Sequence, residues 1–239
     1  MLALSFSATA DAPLPLKIRG YDYPPLFFVN EHQQIDGKLV DVFKAICRLQ
    51  NFDCEFSAIS AARTYLQFEE GGVDILLTGK IPRFSACCTV SDWSYKWVGG
   101  IYSTEVLSPK FDSSILKNKT LIIPLGFELP YLAFKDLKTL EEQKQTRVIQ
   151  ARTARLTLKM FGKGRGDFVW SSPETASLLR EYSDDKETPY YFYPLKTVPV
   201  VAWVNRNNPH YDRIIHGLNQ AYAELTASNQ IAPDGLLAQ

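Results

Sequence analysis

The chain has 239 residues, with hydrophobic residues at 46% and charged residues at 22%. That composition belongs to a folded chain with enough interior for one large domain or two modest ones. Lys plus Arg and Asp plus Glu are equal at 26 each, so no basic excess points to nucleic acid and no acidic tail is present.

Residues 1–12 are apolar and small and end in Ala-x-Ala spacing at Ala10 and Ala12. They read as the back half of an export signal without its charged start, or as an unremarkable N-terminus. No other stretch approaches the apolar length of a membrane span. The strand at 16–20 ends on Gly20, and Tyr23-Pro24-Pro25-Leu26 follows. The prolines hold Tyr23 extended, either as a flat wall for a ligand or as core. Residues 39–49 carry apolar side chains at helical spacing, with Asp41 in the first turn. A strand at 52–59, a helix at 61–70, a Gly71-Gly72 stop and a strand at 73–77 complete an alternating pattern, which implies a mostly parallel sheet under helices.

The strand at 73–77 empties into Thr78-Gly79-Lys80-Ile81-Pro82-Arg83. Hydroxyl, backbone N–H groups and guanidinium at one strand tip suit an anion, because arginine matches a carboxylate with two parallel bonds. The competing reading is an ordinary surface arginine. Residues 95–107 are aromatic and extended, and a second alternating unit then begins. It has strands at 120–123, 147–149 and 167–170, a helix at 153–161, and a charged, surface-like stretch at 135–146. Residues 128–134 read as helical despite Pro130. Ser172-Pro173-Glu174 opens another helix that runs to 182. A second extended run at 190–195, a strand at 198–204, a long amphipathic helix at 211–226 and a loose polar tail from 229 close the chain. Two crossings imply a split first lobe, with a ligand cleft at the carboxyl ends of the strands.

Cys47 and Cys54 are placed to meet, and export would permit that bond, buried thiols being the alternative. The adjacent Cys87 and Cys88 are not expected to pair with each other. His32, His210 and His216 lie far from any cysteine, so no metal site is expected. Gly-x-Ser-x-Gly is absent. Gly162-Lys163-Gly164-Arg165-Gly166 follows a helix and reads as a stop, not a phosphate loop. Arg165-Gly166-Asp167 opens a strand, which argues against an adhesion tripeptide. Candidate carboxylate pairs such as Asp22 and Glu174 carry no further catalytic signature. No enzymatic activity and no cofactor are expected.

The layout resembles the periplasmic solute-binding proteins of the type II fold, specifically solute-binding protein family 3, which serves polar amino acid ABC transporters. The resemblance spans roughly residues 16–230. It rests on Tyr23-Pro24-Pro25-Leu26, on Gly37-Lys38-Leu39-Val40-Asp41-Val42-Phe43-Lys44-Ala45-Ile46, on Gly71-Gly72-Val73-Asp74-Ile75, on Arg83 with Ser91-Asp92, and on Gly164-Arg165-Gly166-Asp167. It implies an α/β fold of two lobes, 13–96 with 198–239 and 97–197, around a ligand cleft. It also implies a periplasmic monomer holding a small solute for an inner-membrane ABC permease, or serving a membrane sensor. By the same resemblance Tyr23 covers the ligand, Thr78 and Lys80 line the pocket, and Arg83 clamps a carboxylate.

The second lobe departs from that pattern. Gly126-Phe127 stands where a Gly-Thr or Gly-Ser step is usual, and Ser172 stands where an ammonium-binding aspartate is usual, with Glu174 two residues on. The binding set expected from the resemblance is therefore Tyr23, Thr78, Lys80, Arg83, Phe127, Ser172 and Glu174. The expected ligand carries a carboxylate and is an amino acid or a related small polar solute.

Overall fold

The computed structural model describes residues 12–108 and 110–238. The expected export segment therefore lies outside the described residues except for Ala12. The elements in chain order are β1 (Leu14–Tyr21), β2 (Phe28–Val29), β3 (Ile35–Asp36), α1 (Lys38–Leu49), β4 (Phe52–Ile59), α2 (Ala61–Glu69) and β5 (Ile75–Gly79). They continue with β6 (Cys88–Ser103), β7 (Lys119–Pro124), α3 (Leu129–Ala133), α4 (Leu137–Glu142), β8 (Thr146–Ala151), α5 (Ala154–Gly162), β9 (Phe168–Ser171), α6 (Ala176–Tyr182), β10 (Tyr191–Asn205) and α7 (Tyr211–Ala227).

Eight strands form one sheet in the order β4-β1-β5-β10-β6-β9-β7-β8. The order is built from two similar halves. β1 lies between β4 and β5, all parallel, and β7 lies between β8 and β9, all parallel. The two halves are joined by two long strands, β6 and β10, which run antiparallel along almost their whole lengths. The C-terminal part of β10, Val200–Val204, pairs with β5, while the C-terminal part of β6, Gly100–Ser103, pairs with β9. Each lobe thus borrows one antiparallel strand that begins in the other, giving two α/β lobes on a shared ribbon. Register shifts interrupt that ribbon between Pro194 and Lys196 and between Val201 and Trp203. A bulge leaves ladder groups unpaired and increases local twist.

Local chemistry accounts for the elements. β1 alternates buried and exposed positions through Leu14, Leu16 and Ile18, the period of a strand with one face on the core. α1 buries Leu39, Val40, Val42, Phe43, Ile46 and Cys47 on one stripe, with Asp41 in its first turn and Arg48 in its last. Gly37 precedes it at φ 122°, and a Cβ there would lie 2.5 Å from the Leu26 carbonyl oxygen. Only glycine lets the Pro25–Leu26 backbone approach so closely. That contact orders the loop bearing Tyr23, because Lys38 and Leu39 donate their N–H groups to the Pro25 and Leu26 carbonyls.

Four elements differ from expectation. β5 ends at Gly79 rather than at 77, because β10 supplies antiparallel partners through that residue. The stretch 135–146 contains α4, which buries Leu137 and Leu140 among its charges. A 3-10 turn at Pro173–Thr175 precedes α6, and the Ser172 side chain makes no capping bond. The polar tail is anchored: Trp93, fully buried, donates its Nε1–H to the Gly235 carbonyl at 2.7 Å, and Ile231 bridges to Leu237.

Both cysteine pairs are bonded. Cys47–Cys54 joins α1 to β4 with Cα atoms 6.3 Å apart. Cys87–Cys88 is a bond between neighbours, against expectation. The adjoining backbone is gripped by Arg206, whose side chain donates to the carbonyls of Ala86 and Cys88 and whose own N–H donates to Cys87. Among the described residues no helix is long and apolar enough to cross a membrane.

Candidate functional site

The parallel strands of both lobes point their carboxyl ends at one another. β1 ends at Tyr21, β5 at Thr78-Gly79, β7 leads to Phe127, and β9 ends at Ser171, followed by Ser172. Strand ends in open α/β sheets are where side chains from separate segments converge on a ligand. Here they line a partly open cavity of about 40 Å³ between the lobes. Its walls include Tyr21, Tyr23, Thr78 and Leu77 from the first lobe and Phe127 and Leu129 from the second, with Trp97 from the ribbon.

The lobes touch across this space. Tyr23 Oη donates to Ser172 Oγ at 3.0 Å and lies 3.3 Å from Ser171 Oγ. Ser171 Oγ also lies 2.8 Å from Thr175 Oγ1, so the hydroxyls form a short buried chain. Tyr95 Oη donates to Glu174 at 2.5 Å. Charged groups make such bonds short and strong. Arg155 reaches from the second lobe to the Val29 carbonyl at 3.4 Å. A Cβ on Gly126 would lie 2.5 Å from the Ala62 backbone nitrogen, another point of close approach. The conformation is closed.

The residues expected from the sequence divide into two sets. Tyr23, Thr78 and Phe127 line the cavity together. Ser172 is fully buried and holds the Tyr23 hydroxyl. Glu174 sits behind Tyr95, and its second carboxylate oxygen, Oε2, is buried with no hydrogen-bond partner among the described residues. Lys80 is exposed and outside the cavity walls. Arg83 does not face the cavity either. Its fork is filled by Glu69, with Nε and Nη2 donating to the two carboxylate oxygens at 2.7 and 2.9 Å. Its Nη1 reaches Glu128 of the second lobe at 3.4 Å, and the guanidinium lies 5.2 Å from the centre of the Tyr65 ring. In this conformation the Arg83 fork is therefore occupied by a glutamate of α2. The physical reason is placement: the 3-10 turn Pro82–Phe84 buries Phe84 and turns Arg83 out along α2.

Tyr21 and Trp97 line the cavity beyond the set expected from the sequence, and Tyr65 stands behind Thr78. Tyr21 Oη lies 2.7 Å and Tyr65 Oη 3.2 Å from Thr78 Oγ1, which commits the threonine that was expected to meet a ligand. Tyr21 carried a usable signal, since it closes the first strand at its carboxyl end.

Burial shapes the electrostatics. It is the main cause of raised pKa values at Tyr21, Tyr23 and Tyr65, and bonds to Thr78, Ser171 and Ser172 only partly offset it. These hydroxyls stay protonated as donors. Glu128 adds an upward push on Tyr21 and Tyr65, and Glu174 adds one on Tyr23. Burial also raises the Asp22 pKa, against the pull of Arg155 and of a bond to the Val29 backbone, and among the described residues Asp22 Oδ1 has no hydrogen-bond partner. Among the described residues no cluster of His, Cys, Asp and Glu could hold a metal ion.

No protein-family model matches the sequence, and neither does any curated protein. Solved structures match its fold. A histidine kinase sensor domain with similarity to periplasmic binding proteins superposes with a TM-score of 0.74 at 14% identity, covering 91% of this chain and 92% of that one. An ancestral arginine-binding protein bound to arginine gives 0.73 at 16%, covering 89% and 92%. The holo ArgBP from T. maritima gives 0.68 at 16%, covering 92% of each chain. The chain has the type II periplasmic binding fold.

Proposed function

We propose that this protein is an exported solute-binding protein that closes its lobes, 13–96 with 198–239 and 97–197, over a small molecule. The observation that carries the reading is the cavity lined by strand ends of both lobes, which are tied by Tyr23 to Ser172 and joined by the β6–β10 ribbon. A two-strand connection of this kind suits hinge closure. The solved structures of the same fold include arginine-bound proteins and a putative L-cystine ABC transporter, which supports solute capture and passage to an inner-membrane ABC permease. Two disulfides fit an oxidising, periplasmic setting. The similarity to a kinase sensor domain favours a second reading, in which closure is reported to a membrane sensor.

The carboxylate-bearing amino acid expected from the resemblance needs a free cation in the cleft, and Arg83 is engaged by Glu69. Burial of an unpaired carboxylate is costly. The test is a calorimetric and thermal-shift screen of amino acids, organic acids, sugars and organic cations on the full chain, with scattering measured with and without each hit. Solute capture predicts raised apparent stability by mass action and altered domain separation. A screen in which no compound does either refutes it.

A further inference from the structure

β7 ends at Pro124, and the chain turns through Leu125 and Gly126 to bring Phe127 to the cavity wall. Gly126 sits at φ 83° with its backbone against the start of α2, where a Cβ would lie 2.5 Å from the Ala62 nitrogen. Glycine admits both the conformation and the approach. The Phe127 N–H donates to the Pro124 carbonyl at 3.2 Å and closes the turn. The second lobe thereby carries a ring into the first.

That ring fills the space it enters. Phe127 is 7% exposed. Its centre lies 4.9 Å from that of Tyr21, edge to face at 63°, and 6.1 Å from that of Tyr23, with planes 10° from parallel. Both separations are those of aromatic pairs in direct packing. Trp97 packs across Tyr23 at 5.9 Å and 78°. About 40 Å³ remains, far less than the ~150 Å³ apolar space that holds benzene. The polar groups are equally committed. The hydroxyls of Tyr21 and Tyr65 meet at Thr78, and that of Tyr23 is held by Ser172. Arg83 keeps Glu69 while reaching Glu128 across the lobes at 3.4 Å. The closed form therefore satisfies its buried hydroxyls, and fills its apolar centre, from within the chain.

We propose that Phe127 is a built-in plug: its ring takes the place between the lobes that a solute would take, and the lobes close on it without one. The proposal goes beyond the solute-capture reading and does not depend on it. Any solute competes with this ring, so Phe127 also decides what the cleft admits.

The experiment combines small-angle scattering and an interlobe dye pair with chemical rescue on the full chain. Wild type, shown by mass spectrometry to carry no bound solute, is expected to be compact with one short interlobe distance. Phe127→Ala removes a ring of benzene's own size. It should loosen the lobes, bind benzene at least about tenfold more tightly than wild type by calorimetry, and regain compactness at saturating benzene. Phe127→Leu refills most of the space, so it should stay compact and bind benzene weakly. Phe127→Val tests the same gain if the alanine variant does not fold, and the wild-type measurement stands without either. Open lobes in solute-free wild type overturn the proposal and leave solute capture standing. Benzene binding to wild type as tightly as to Phe127→Ala overturns it, as does a folded alanine variant that benzene neither binds nor compacts. Compact wild type with benzene rescue, beside a solute screen that finds nothing, upholds the plug and refutes solute capture.

Discussion

Replacing Tyr23 with phenylalanine removes one oxygen from the centre of the contact between the lobes. In the closed form that hydroxyl donates to Ser172 Oγ at 3.0 Å, with Ser171 Oγ at 3.3 Å. Ser171 retains Thr175 as a partner, but Tyr23 is the only partner described for Ser172 Oγ, and Ser172 is fully buried. The variant therefore forfeits one buried bond and strands a hydroxyl. A net bond contributes ~1 kcal/mol and an unsatisfied buried group costs ~1–3 kcal/mol. In the open form water solvates both positions, so the open state loses little. The closed state is then disfavoured by ~2 kcal/mol, which is about a 30-fold shift in the closed-to-open ratio. The ring is kept, so packing against Trp97 and Phe127 is preserved. Because burial raises the Tyr23 pKa, the wild-type hydroxyl remains a donor through neutral and mildly alkaline pH.

Small-angle scattering and a donor–acceptor fluorophore pair, one dye on each lobe, would both register the shift. Tyr23→Phe should enlarge the radius of gyration in the absence of ligand, and saturating ligand should restore compactness at a higher concentration than wild type needs. An unchanged interlobe distance distribution would refute the argument that this bond holds the lobes together.

Three further outcomes are expected. Gly37→Ala places a Cβ 2.5 Å from a carbonyl oxygen at φ 122° and should cost at least ~2 kcal/mol in denaturant unfolding. The paired Cys47→Ser, Cys54→Ser variant loses a bond across seven residues of separation, for which loop-closure entropy gives ~2–3 kcal/mol, and wild type under reductant, which opens Cys87–Cys88 as well, should lose at least as much. The Glu69 carboxyl is held below its ordinary pKa chiefly by its bonds to Arg83, so that pairing stabilises the fold above the ordinary glutamate pKa and fades as pH falls through the depressed value. Thermal midpoints of wild type and Arg83→Ala should therefore differ modestly at neutral pH and converge in acid, since both side chains are about one-third exposed.

The architecture was legible because each lobe repeats a local pattern. Alternation in β1, the single apolar stripe of α1 and the Gly71-Gly72 stop are properties of short segments, and the element order follows from them. Segment reasoning was weakest where distant chain decides. Gly79 becomes strand because β10 pairs with it, and the tail from 229 becomes ordered because Trp93 needs an acceptor for its indole N–H. Arg83 shows the same limit in the site. Its residue type suits a carboxylate, and it does hold one, but the partner is Glu69, fourteen positions back on α2. Sequence spacing identifies what a side chain can bind and leaves open which group reaches it first.

The second lobe carries the same lesson further. Phe127 and Ser172 stand where an amino-acid binder would use a hydroxyl step and a carboxylate, and by sequence they are gaps in that pattern. In the folded protein neither position is idle. Phe127 lies parallel to Tyr23, and Ser172 accepts the Tyr23 hydroxyl, so both serve the same aromatic residue from the opposite lobe. Two replacements that act on one partner amount to a change of chemistry at the cleft more than a loss of it. The ion-pairing groups have moved outside the walls, Arg83 to Glu69 and Glu174 to Tyr95, while ring faces line the interior. Any group entering this cleft meets ring faces and bonded hydroxyls before it meets an ion-pairing side chain.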